Sequence, residues 1–120
     1  MTRREFSLAV TGVLAYPRVG ALEALGTNQE WSGPVWELRS YRGAAPLLAG
    51  VFAAVFPRAG IHPVSRGSAG AELSYLIPFK DLAAREHAWT MLNADPEWIA
   101  ARPGFQSYQF GLYRLLEPSA

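Results

Sequence analysis

The chain has 120 residues, with 11 Lys and Arg against 10 Asp and Glu for a net charge of +1, and no cysteine. That length suits one domain with one core. The balanced charge argues against nucleic acid or an acidic membrane as partner, and the absence of cysteine excludes disulfides, thiolate metal sites and cysteine nucleophiles.

Residues 1–26 have the order of an export signal: a basic start, a short apolar stretch, then small residues. Thr2-Arg3-Arg4-Glu5-Phe6 is similar to the bacterial twin-arginine motif, although Ser7-Leu8 departs from the Leu-Lys often found next. Ala21, Ala24 and Gly26 are the candidate cleavage sites, which would leave a periplasmic or secreted product. The alternative is a cytoplasmic protein in which residues 6–16 form a strand or short helix of the fold. Residues 27–34 (TNQEWSGP) are turn-rich and read as a linker.

The domain proper is expected at residues 35–117. Residues 35–41 alternate Trp36, Leu38 and Ser40 with Glu37, Arg39 and Tyr41, the period of a strand. Residues 44–56 predict a short helix, with Pro46 in its first turn, Gly50 as an internal weakness and Pro57 as its stop. With no polar face, that helix should be covered on more than one side. Residues 60–66 and 71–79 predict two strands around a turn at Gly67-Ser68-Ala69-Gly70, the first an edge strand because of Pro63.

Residues 80–93 predict a second helix with Leu82, Arg85, Ala88, Trp89 and Leu92 on one side. Asp95-Pro96-Glu97 then provides a cap and first turn for a short extra helix ending before Pro103. Residues 106–116 alternate again as a strand, with Tyr108, Phe110 and Leu112 opposing Gln109, Gly111 and Tyr113. The order β-α-β-β-α-β predicts an α+β, ferredoxin-like domain with a four-stranded antiparallel sheet under two helices. Its uncovered sheet face would call for a second copy. No apolar run approaches the roughly 18 residues of a membrane-spanning helix, so no stable membrane insertion is expected.

Tyr75-Leu76-Ile77-Pro78-Phe79-Lys80-Asp81-Leu82-Ala83-Ala84-Arg85, then Trp89 and Asn93-Ala94-Asp95-Pro96-Glu97-Trp98, resembles the second half of NIPSNAP-family domains. Trp36-Glu37-Leu38-Arg39-Ser40-Tyr41 resembles that family's opening strand. The first helix and the Ser65-Arg66-Gly67-Ser68 hairpin depart from the family. The resemblance implies a homodimer in which two sheets form a dimeric α/β barrel, and it leaves the chemistry open.

Arg39 and Tyr41 share a strand face where a cation beside a phenol suits an anionic ligand, unless Arg39 is tied to Glu37 or Glu72. Arg85 lies in an apolar stripe, where a guanidinium needs either a buried partner or a cavity. Tyr75, Phe79 and Trp89 complete the candidate ligand-binding set, with core packing as their alternative role and as the expected role of Trp98. His62 and His87 stand apart with no second ligand at metal spacing, so no metal and no cofactor are expected. The functions left standing are a binding protein for a small, planar or anionic molecule, a cofactor-free monooxygenase-type enzyme on an aromatic substrate, and a purely structural dimerisation module.

Overall fold

A computed structural model of the chain describes residues 13–16, 19–26, 30–43 and 48–116. The elements are β1 (Val13–Tyr16), β2 (Gly20–Ala24), β3 (Val35–Arg42), α1 (Leu48–Ala59), β4 (Ser65–Ala69), β5 (Glu72–Phe79), α2 (Leu82–Asn93), α3 (Pro96–Ala101), a 3₁₀ turn (Arg102–Gly104) and β6 (Ser107–Leu115). All pairings are antiparallel in one sheet ordered β1-β2-β6-β3-β5-β4.

The α+β class and the β-α-β-β-α-β order from β3 to β6 agree with the sequence, but among the described residues the sheet has six strands where four were expected. The difference is the hairpin β1–β2, which adds to the free edge of β6 through Leu22 opposite Leu115 and Ala24 opposite Tyr113. Part of the stretch with the order of an export signal is therefore strand in this chain. The twin-arginine residues 2–6 lie outside the described residues, as do 27–29 of the expected linker.

Strand alternation divides the core in two. On the helix side, Val35, Tyr41, Leu73, Tyr75, Ile77 and Phe79 pack under Leu48, Phe52, Val55 and Phe56 of α1, Ala88, Trp89 and Leu92 of α2, and Trp98 of α3. On the other side Leu22, Leu38, Leu76 and Tyr113 form a second buried cluster, flanked by Tyr16, Val19, Ala24, Trp36 and Leu115. The sheet face expected to lie open is thus partly closed from within by the hairpin. Close approach there depends on Gly111, where an added Cβ would sit 3.2 Å from the Tyr113 ring.

The first helix runs through the proline expected to stop it. Pro57 lies inside α1, and closure comes three residues later at Gly60, whose φ of 78° is the left-handed conformation. Ile61 N–H donates to Phe56 C=O at 2.9 Å and Gly60 N–H to Pro57 C=O at 3.2 Å, the paired bonds of a Schellman cap. Burial of both Phe56 and Ile61 secures that turn. The expected start at residues 44–47, with Pro46, lies outside the described residues. The residues of α1 that face solvent are the small Gly50, Ala53, Ala54 and Pro57 together with Arg58 near its end, so within the chain the helix is covered on one side.

The strand expected at 60–66 begins later, at Ser65, and turns at Gly70-Ala71, where Gly70 has φ 60°. Pro63, lacking a donor, falls before the strand. β4 is an edge strand with all five residues exposed. Asp81 caps α2 by accepting from Ala84 N–H at 2.7 Å, which moves the helix start from residue 80 to Leu82. Asp95 caps α3 and is also held by Arg58 from the last turn of α1.

Candidate functional site

The opening strand puts Glu37, Arg39 and Tyr41 on the helix side of the sheet, between β5 and β6. Their register sets Arg39 opposite Phe110 and Tyr41 opposite Tyr108 on β6. α2 crosses above with Arg85 and Trp89, one turn apart on the face turned to the sheet.

Glu37 is the centre of this arrangement. Its side chain is 0% exposed, and a carboxylate so placed must be fully paired. One oxygen, Oε2, accepts from Arg39 Nε at 2.7 Å. The other, Oε1, accepts from Arg85 Nε at 2.7 Å and from Trp89 Nε1 at 2.8 Å. Three donors, from β3 and from two positions on α2, thereby converge on one carboxylate.

Both guanidiniums also lie against rings. That of Arg39 sits 3.7 Å from the Trp89 ring centre, 4.7 Å from Tyr108 and 5.5 Å from Phe110. That of Arg85 sits 4.9 Å from Phe110. Tyr108 and Phe110 stack on each other with 6.4 Å between centres, and they stay roughly half exposed, at 49% and 45%.

Beside these groups opens a cleft of about 750 Å³, walled by Arg39, Arg85, Trp89, Trp98, Phe105 and Tyr108, among others. Tyr41 lines its floor. The Tyr41 hydroxyl is buried and makes no hydrogen bond of normal geometry, while the Arg39 guanidinium lies close enough to favour its ionised form. Burial pushes this phenol up to about 12 despite the opposing pull of Arg39, so it remains a proton donor at neutral pH. Burial works against the Arg39 charge, but Glu37 and Tyr41 outweigh it and hold its pKa above the usual value.

Of the residues expected to bind a ligand, Arg39, Tyr41, Arg85 and Trp89 meet at this cleft. Tyr75 and Phe79 do not line it. Tyr75 stands edge-on to Phe52 and Phe56 in the core, and Phe79 is buried beside Trp89. Trp98 serves both places, packing on Phe52 and stacking with Phe105 at the cleft wall. Arg39 is tied to Glu37. His62 and His87 are exposed, and among the described residues no three metal-ligating side chains converge.

Sequence reasoning passed over Phe105, Tyr108 and Phe110 as cleft residues, and it saw Glu37 only as one pairing option for Arg39. The alternation of residues 106–116 did place Tyr108 and Phe110 on one face; what it lacked was the neighbour of that face.

The fold has known counterparts. A NIPSNAP-family protein of unknown function from Agrobacterium tumefaciens superposes with a TM-score of 0.55 at 19% identity, over 70% of this chain and 89% of that one. Two proteins from Burkholderia xenovorans give similar results. An uncharacterized NIPSNAP domain protein has a TM-score of 0.52 at 17% identity, covering 72% of this chain and 95% of that one. A NIPSNAP-like domain protein has 0.51 at 21% identity, covering 75% and 91%. No protein-family model matches the sequence, and no curated protein matches it significantly. The fold is that of NIPSNAP proteins, in agreement with the resemblance read from residues 35–41 and 75–98.

Proposed function

We propose that this chain is a NIPSNAP-family protein that binds a small, planar, partly anionic molecule in the cleft between α2, the 3₁₀ turn and β6. The observation that carries this reading is the pairing of Arg39 and Arg85 with a single carboxylate at the wall of an aromatic-lined cleft. A structural ion pair needs one cation for Glu37. The second leaves positive charge beside a space within the size range of ligand sites.

The Arg85→Met variant tests this, because Met keeps the apolar stem and Glu37 retains Arg39 and Trp89. A molecule that co-purifies with the wild-type protein in native mass spectrometry should bind the variant about 10- to 150-fold more weakly, the loss of a charge-assisted hydrogen bond. Unchanged binding, or no molecule bound by the wild type, contradicts the reading.

The same proposal has the protein working as a homodimer after export, with residues 1–26 as its signal. Removal of that signal takes β1 and β2 with it, which opens the edge of β6 and the Leu38, Leu76 and Tyr113 face of the sheet to a second copy. Thr2-Arg3-Arg4-Glu5-Phe6 supports export. A shortened periplasmic product that sediments as a dimer is expected; an unshortened cytoplasmic monomer contradicts both.

A further inference from the structure

Glu37 is beyond the reach of any ligand. It is fully buried and both oxygens are occupied, Oε2 by Arg39 and Oε1 by Arg85 and Trp89. A carboxylate in that state does not touch a bound molecule. What it does control is charge. It pairs with both arginines, so two guanidiniums share one negative charge and a single positive charge is left over. The other charged residues lining the cleft, Glu86 and Arg102, are opposite in sign.

Both arginines reach Glu37 through Nε, which leaves the terminal Nη ends of both forks outside the ion pair. The rings of Trp89, Tyr108 and Phe110 hold the guanidiniums in place, so their donors are oriented before a ligand arrives. At the floor, Tyr41 lines the same cleft with its hydroxyl buried.

Building on the binding function above, we infer that the cleft selects a planar aromatic ligand bearing one carboxylate, and that Glu37 sets this selectivity by cancelling one of the two arginine charges. A single carboxylate is flat, takes two parallel N–H bonds from a guanidinium fork and balances the leftover charge. A neutral ligand would desolvate that charge with nothing to compensate it, and a dianion would bring in a surplus negative charge. Trp98, Phe105 and Tyr108 supply faces for the ligand's ring.

Calorimetric titration of the full chain at pH 7.5 with 2-naphthoate, 2-naphthamide and 2-naphthyl phosphate tests this, because the probes share a ring system and differ in charge. The carboxylate should bind at least about tenfold more tightly than either of the others. In Glu37→Gln, whose amide keeps an acceptor for one arginine while removing the negative charge, preference should move toward the phosphate by about tenfold or more. If the melting curve shows that variant to be unfolded, Arg85→Met takes its place: with one cation gone, the carboxylate should lose its advantage over the amide. A role for Glu37 in stability alone would leave these ratios unchanged, and that outcome overturns its part in selectivity. Equal binding of carboxylate and amide to the wild type overturns the monoanion assignment while leaving the cleft a binding site. No binding of any probe sinks the binding function and this inference together.

Discussion

Glu37 gathers three donors, and removing it is not equivalent to removing one of them. Glu37→Ala leaves two largely buried guanidiniums and an indole N–H without their acceptor, and should cost about 3–5 kcal/mol in urea denaturation. Arg39→Met should cost less, since Arg85 and Trp89 still serve the carboxylate. A Glu37→Ala loss no larger than that of Arg39→Met would show that the three donors do not depend on it. The sequence made the donors visible: alternation in residues 35–41 placed Arg39 and Tyr41 together, and a charge inside an apolar stripe marked Arg85. Their common acceptor was hidden because Arg85 and Trp89 lie 48 and 52 residues from Glu37. Strand and helix periods state which face a residue takes, not which distant face meets it. The same limit let Tyr75 pass for a cleft residue, since its strand face was legible but the covering helix α1, with Phe52 and Phe56, was not.

At the scale of the element, α1 carries two glycines with opposite roles. Gly50 sits in the helix interior, Gly60 in the left-handed position that closes it, and at both an added methyl meets nothing within 4 Å. Backbone conformation alone therefore decides the outcome. Gly50→Ala should stabilise by about 0.5–1 kcal/mol, the difference between these residues in a helix. Gly60→Ala should destabilise by about 1–2 kcal/mol, the cost of forcing a side chain into the left-handed region. Urea midpoints shifting in the same direction for both variants would refute the assignment. The end of this helix was misread because a proline stop is a strong local signal. It yielded to the Schellman cap at Gly60, the burial of Phe56 and Ile61, and the pull of Asp95 and Glu97 on Arg58. The end of α2 and the cap at Asp95 depend on neighbouring residues, and there the sequence and the structure agree, whereas the cap at Asp81 moves the start of α2 from residue 80 to Leu82.

At the scale of the whole molecule, burial pushes the phenols of Tyr41, Tyr75 and Tyr113 up to about 12. Their folded pKa lies above the unfolded value of 10, so the folded chain holds protons that the unfolded chain releases between these values. The contribution to stability is complete below pH 10 and is lost as pH rises toward 12. The urea midpoint should fall steeply in that window, with phenolate absorbance from part of the five tyrosines appearing only as the protein unfolds. Five phenolates titrating near pH 10 with the fold intact would contradict it. Four of the strands and their order around two helices were legible from periodicity and turn residues. The hairpin β1–β2 was not, because its apolar run equally fits a leader, and its sheet partner is the last strand of the chain.

That partner has a consequence for the birth of the fold. β6 lies between β2 and β3 in the sheet, although it is the last of these elements to be synthesised. While the chain is still emerging from the ribosome, β3, β5 and the helices can begin to assemble, but the N-terminal hairpin has no strand to join until Leu115 is free. Until β6 has emerged, then, β1 and β2 are kept out of their place beside it by topology alone. A targeting factor reading the N-terminus would compete with β6 only once that strand has emerged, and the long loop that β6 must close makes this docking step the slow one.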